Sequence, residues 1–112
     1  MKAPRLNRRL VLEEPDRLPD GSGGFREDWR PLGVLWGEIR PGLGREKQQD
    51  FAVISAVHYR VVVRAAPHGS PSRPRPEQRL REGSRVLRIH AVGEADEMGR
   101  YLTCFAYEEV AS

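Results

Sequence analysis

The sequence predicts a mainly β fold: a small antiparallel β-barrel of about six strands, with two long loops, one of them Pro/Arg-rich. Three observations carry this. Nine prolines and eleven glycines punctuate 112 residues, a density that favours short strands over long helices. Several runs alternate apolar and polar side chains with the period of two that a half-buried strand requires. Between Asp20 and Glu46, a Gly-rich turn leads into an aromatic run with Trp29 and Trp36, then Glu38-Ile39-Arg40-Pro41, then a second Gly-containing loop. A chain of this length makes one domain, residues 1–112, with a modest core and much exposed surface.

The elements follow in order. Arg5 to Glu14 reads as a first strand, with Leu10 and Leu12 on one face and Arg9, Val11 and Glu13 on the other. Glu14 to Gly24 is loop chemistry; Asp20-Gly21 and Gly23-Gly24 supply the positive φ that hairpin turns need. A second strand runs from Phe25 to Ile39. Pro31 lacks the N–H for a ladder bond, so a bulge or bend is expected there. Trp36 lies seven positions after Trp29, which puts them on opposite faces unless that bulge shifts the register. Trp36 reads as core, so Trp36→Ala is expected to cost roughly 3–5 kcal/mol; Trp29 reads as more open.

Ala52 to Arg64 gives the clearest strand signal. Val57, Tyr59, Val61 and Val63 form the core face; Ala56, His58, Arg60, Val62 and Arg64 form a solvated or subunit-facing one. Two short strands flank Glu82-Gly83 between Arg79 and Gly93, with Leu87, Ile89 and Ala91 alternating with Val86, Arg88, His90 and Val92. The last strand, Gly99 to Glu108, sets Leu102, Cys104 and Ala106 against Tyr101, Thr103, Phe105 and Tyr107. Two stretches fall outside the strands. Residues 40–51 form a loop or short helix. Residues 65–78 carry four prolines, which favour extended polyproline-like backbone; Arg73→Ala in this loop is expected to change stability by less than about 0.5 kcal/mol.

The formal charge is +3, too small an excess to establish nucleic-acid binding by itself. Cys104 is the single cysteine, so no intrachain disulfide and no cysteine pair for zinc exist; in its apolar run it reads as a buried thiol acting as a small hydrophobe. His58, His68 and His90 lie far apart in sequence, and no acid–base partner is visible. The start Met-Lys-Ala-Pro-Arg lacks the apolar stretch of a secretory leader, and no run approaches the roughly 20 apolar residues of a membrane span. Gly42-Leu43-Gly44 with Arg45 and Lys47 hints at a phosphate loop but lacks its Gly-Lys-Ser/Thr ending. The Arg-rich segment of Arg73, Arg75, Arg79, Arg81, Arg85 and Arg88 reads first as a solvated face, then as a contact with an acidic neighbouring subunit, and last as a DNA contact. Glu94, Asp96, Glu97, Glu108 and Glu109 lie in the C-terminal part; opposite charges in separate parts of one small domain suit head-to-side packing of copies. No enzyme, cofactor or metal chemistry emerges.

Taken together, the pieces resemble the phage head–tail joining family, also called head-closure or stopper proteins. The resemblance runs through Leu6-Asn7-Arg8-Arg9-Leu10, Asp20-Gly21-Ser22-Gly23-Gly24-Phe25, Trp29, Val34 to Pro41, and Gly44-Arg45-Glu46. It continues through His58 to Arg64, Arg79-Leu80, Gly83 to Ile89, and Tyr101-Leu102-Thr103-Cys104. Each piece is weak alone; their order and spacing are specific. Gly37 stands where the family often has alanine, and the 65–78 stretch is longer than usual, as in versions from gene transfer agents.

The resemblance implies a non-enzymatic ring, a dodecamer, at the head–tail junction of a phage or phage-like particle assembled in the bacterial cytoplasm. Its partners would be copies of itself, the portal and adaptor proteins of the head, a tail terminator or tail tube protein, and the DNA passing through; no membrane is involved. The lumen-facing loop would be 40–51, with Gly42, Leu43, Gly44, Arg45, Glu46, Lys47, Gln48, Gln49 and Asp50. Arg73, Arg75, Arg79 and Arg81 are the candidate subunit or partner contacts. The isolated chain is expected to be monomeric or weakly associating and to form its ring on its neighbours. A monomeric nucleic-acid-binding β-barrel, using the arginines and the tryptophans, is the alternative reading.

Overall fold

Alternating side chains and Gly- or Pro-marked turns produce six strands in the computed structural model, which describes residues 2–42 and 54–111. They are β1 (Arg8–Pro19), β2 (Phe25–Pro41), β3 (Ile54–Arg64), β4 (Arg79–Glu82), β5 (Arg85–Glu94) and β6 (Tyr101–Ala111). All pairings are antiparallel, and the order β1-β2-β3-β6-β5-β4 closes into a barrel as β4 returns to β1. No helix among the described residues is long and apolar enough to cross a membrane.

The inward faces meet the sequence expectation except at Val57, which was expected in the core face of β3 but is 42 % exposed. Leu10 and Leu12 of β1, Val61 and Val63 of β3, Leu80 of β4, Leu87 and Ile89 of β5, and Leu102, Cys104 and Ala106 of β6 form one buried cluster. Leu32, Leu35, Ile39, Tyr59 and Val92 pack on its edges. Burial pushes the Cys104 thiol up to about 12, which makes it an inert core group. Gly37 is buried because Leu10, Val61 and the Val62 carbonyl fill the space a methyl group would take, the nearest atom lying 3.0 Å from a Cβ built there.

Two bulges reassign faces. Between Leu12 and Glu13 the β1–β2 register skips Leu32, one residue after Pro31. Trp36 opposes Arg9 and Trp29 opposes Pro15, so both tryptophans stand on the outside. Trp36 is not core: it is 52 % exposed. The bulge cancels the half-turn of register that its spacing from Trp29 would impose. In β5 the register shifts between Ile89 and Ala91. Ala91 therefore opposes the outward Phe105 and Val92 opposes the inward Cys104, the reverse of the simple alternation. Val62 is also unlike its expectation. It is 1 % exposed on the outer face, where its ladder partners are Glu38 and Thr103.

β1 is longer than its sequence suggests and continues through Pro15 and Pro19. Beyond Glu13 it pairs only with β2, and a strand with a free edge tolerates proline. The distal hairpin, about residues 14–30, thus leaves the barrel as a two-stranded arm. Its tip is built by Asp20, whose Oδ1 accepts from the N–H of Ser22 and Gly24. The 65–78 segment is not extended. It makes consecutive tight turns, in which Ser70 N donates to Pro67 O and Arg73 N to Ser70 O. Pro74 and Gln78 are buried beneath it, and Gln78 Oε1 accepts from Arg75 N at 2.8 Å.

Candidate assembly surfaces

The barrel closes along a short seam, where β1 meets β4 through only Val11–Arg81, Leu12–Leu80 and Glu13–Arg79. Ion pairs reinforce both faces of that seam. On the outer face, Glu13 accepts from Arg79 Nε at 2.7 Å and from Arg81 Nε at 3.0 Å. Burial works to raise the Glu13 carboxyl, but the two arginine hydrogen bonds and their charges outweigh it and hold it below the ordinary range. At the barrel end, Glu82 accepts from Arg8 twice at 2.6 Å and from Arg85 at 3.2 Å. Arg85 reaches on to Glu108 at 3.0 and 3.2 Å and lies over Tyr59. The Arg8 hydrogen bonds hold the Glu82 carboxyl low against burial.

All four arginines singled out in the sequence therefore have intrachain partners. Arg79 and Arg81 clamp the seam. Arg75 pairs with Glu14 at 2.6 Å, and Glu14 also pairs with Arg30 on the arm, so one carboxylate ties the 65–78 segment to the arm. Arg73 Nη1 donates to Ala66 O at 2.8 Å and closes its own loop. Arg79 covers Trp29 at 4.1 Å, with Arg88 at 5.6 Å from the same ring. These cation–π contacts occupy the indole that a base would need.

Of the candidate lumen loop 40–51, Arg40 and Pro41 belong to the end of β2 and are not loop, and Gly42 is the last described residue before the rest of it. Its N–H donates to His58 O at 2.9 Å, and a Cβ there would sit 2.7 Å from the His58 carbonyl. Only glycine allows the chain to leave β2 along this path. Leu43, Gly44, Arg45, Glu46, Lys47, Gln48, Gln49 and Asp50 lie outside the described residues.

Sequence reasoning missed the exposed apolar and aromatic sites. Val34 and Trp36 open onto the outside of β2, Phe25 and Leu18 cap the arm, Met98 tips the β5–β6 hairpin, and Phe105 faces outward on β6. Two of the three histidines also come together. His58 and His90 lie 6.0 Å apart in an edge-on arrangement, each about 6 Å from Tyr107. Alternation alone could have found His58 and Tyr107, which are ladder partners; the His90 bulge hides the third. Among the described residues no group of three or more potential metal ligands forms.

The profile of a family described as phage head completion protein matches residues 1–110. The chain belongs to this family. A comparison with curated proteins finds no match. Among solved structures, the chain is similar to a chain of the virion of a native gene transfer agent particle. The two share 54 % identity and a TM-score of 0.83, covering 98 % of this chain and 100 % of that one. It also shares its fold with protein SF1141 from Shigella flexneri 2a, at 19 % identity and a TM-score of 0.66 over 96 % of each chain. As a phage head completion protein, it is a structural component of a virion or phage-like particle.

Proposed function

We propose that this head completion protein forms a ring at the head–tail junction of a gene transfer agent or phage particle. There it extends the DNA exit channel, closes it after packaging and presents a platform to the tail. The near full-length likeness to a chain of a native gene transfer agent virion carries this reading. The surface is compatible with it. Some charges are paired within the chain and others are left exposed, the exposed apolar groups are scattered over the barrel and arm, and contacts of that kind act when many copies are held together. Loop 40–51 is the channel-facing element, anchored at Gly42. Copies of the chain, portal and adaptor proteins, the tail and passing DNA are its partners.

The nucleic-acid-binding alternative loses its stacking platform, because Trp29 is covered by Arg79 and Trp36 stands on a separate apolar surface. The test of the closure role replaces Leu43 to Gln49 by a short Gly linker in particle-producing cells. The expected outcome is normal folding and assembly with loss of DNA from tailed particles, because such a loop adds little to the core. Tailed particles that keep their DNA as well as the parent would reject closure by this loop. Full DNA retention with loss of tails would place the loop at the tail interface.

A further inference from the structure

An apolar groove lies along β2, between the segment that precedes β1 and the end of β3. Leu6, Val34, Leu35, Trp36 and Arg64 line a depression of about 400 Å³. Trp36 is 52 % exposed and Val34 43 %. Arg9, exposed, stands directly opposite Trp36 in the ladder. Neither Arg9 nor Arg64 forms an ion pair among the described residues. The groove therefore has an apolar floor and a cationic rim with unmet charge.

The β5–β6 hairpin has the opposite character. Met98 protrudes at 75 % exposure, next to a turn at Gly99 with φ +67°. Asp96 shapes this hairpin by accepting from Arg100 N, Tyr101 N and the Arg100 guanidinium. Glu94 and Glu97 are exposed and make no ion pair among the described residues. The result is an apolar knob flanked by free carboxylates. The knob does not line its own copy's groove. The groove's Arg64, at the end of β3, is the ladder partner of Tyr101 at the base of the hairpin, so groove and knob lie at neighbouring edges of the same barrel.

We infer that the Met98 knob of one copy seats in the Leu6–Val34–Trp36 groove of the next, with Glu94 and Glu97 facing Arg9 and Arg64. A second copy is the occupant because one chain carries both halves, an apolar knob with carboxylates beside it and an apolar groove with arginines beside it, opposite in sign of charge. A thioether against an indole is a favourable pairing. Knob and groove are different surfaces, so the contact is head-to-tail and repeats from copy to copy until it closes. One knob in one groove is a small interface, in keeping with assembly on a template. This inference rests on the ring reading and names the surfaces that make the ring.

The test places Val34→Cys and Met98→Cys together in the chain within assembled particles, followed by a short bifunctional thiol reagent. Buried Cys104 gives little background. The expected result is a ladder of covalent multimers of the chain, with no such species from either single variant. Dimers from Val34→Cys alone would mean that groove meets groove and would overturn the head-to-tail contact. An absent ladder, in particles whose parent chain still multimerises under glutaraldehyde, would overturn this contact and leave the ring standing. Absence of multimers under both reagents would overturn the contact and the ring together.

Discussion

At the residue scale, burial and charge pairing separate the side chains that hold the fold from those that face partners. Leu80 is fully buried in the central cluster, so Leu80→Ala should cost about 2–5 kcal/mol. Trp36→Ala removes a half-exposed ring and should cost no more than about 1 kcal/mol. Urea melts of the two variants compare them directly; a larger loss at Trp36 would return that ring to the core. Glu13 is the most consequential charge, because it is almost fully buried and bridges Arg79 and Arg81 across the closing seam. Glu13→Ala strands both guanidiniums and should cost about 2–3 kcal/mol, below the figure for fully buried pairs because Arg81 is partly solvated. The same site gives a pH dependence. The Glu13 carboxyl lies below its ordinary value of 4.5 when folded, so its contribution is present above that value. It is lost as pH falls through the lower folded value. Acid titration of stability should show the parent weakening below about pH 4.5, with Glu13→Gln showing a shallower decline; identical slopes would remove Glu13 from the account.

At the element scale, the alternation of Leu10 and Leu12, of Val61 and Val63, and of Leu102, Cys104 and Ala106 made the barrel legible in the sequence. A core-facing strand must bury every second residue, and those positions leave no other arrangement. What was not legible came from bulges and edges. Pro31 announced an irregularity, but its effect on Trp36 depended on Leu32 being the skipped residue. Nothing in Ile89-His90-Ala91 announced the second bulge. The 65–78 segment departs from the extended form its prolines favour because backbone and side-chain bonds at Ser70 and Gln78 fold it into turns. That packing changes one expectation. Arg73 is held to Ala66 O, so Arg73→Ala should cost about 1 kcal/mol, the scale of one net hydrogen bond, and a thermal melt showing no shift would contradict it. The arm makes a separate prediction. A two-stranded ribbon is marginal without further packing, so amides beyond Asp16 and before Arg30 should exchange faster than those of β3 and β6. Uniform protection along β1 would show that the arm is as stable as the barrel.

At the scale of the whole molecule, the barrel is a rigid carrier for elements that reach away from it. The chain measures 50 × 33 × 23 Å along its principal axes. Gly42 sends the candidate channel loop from the end of β2, and the arm and the 65–78 segment are joined through Glu14 at the far end of the same strands. Such a layout gives one small domain several separate contacts, as a connecting piece between a head and a tail requires. Family membership was legible because the motif order spans the chain; the contacting surfaces were not, because a residue that serves a neighbour breaks the pattern that serves the core. The most direct test is a reconstruction of the particle at a resolution that traces this chain. The account predicts a closed ring of copies between head and tail, with residues 40–51 pointing into the channel. A chain located away from the junction, or present there without contact between copies, would contradict it.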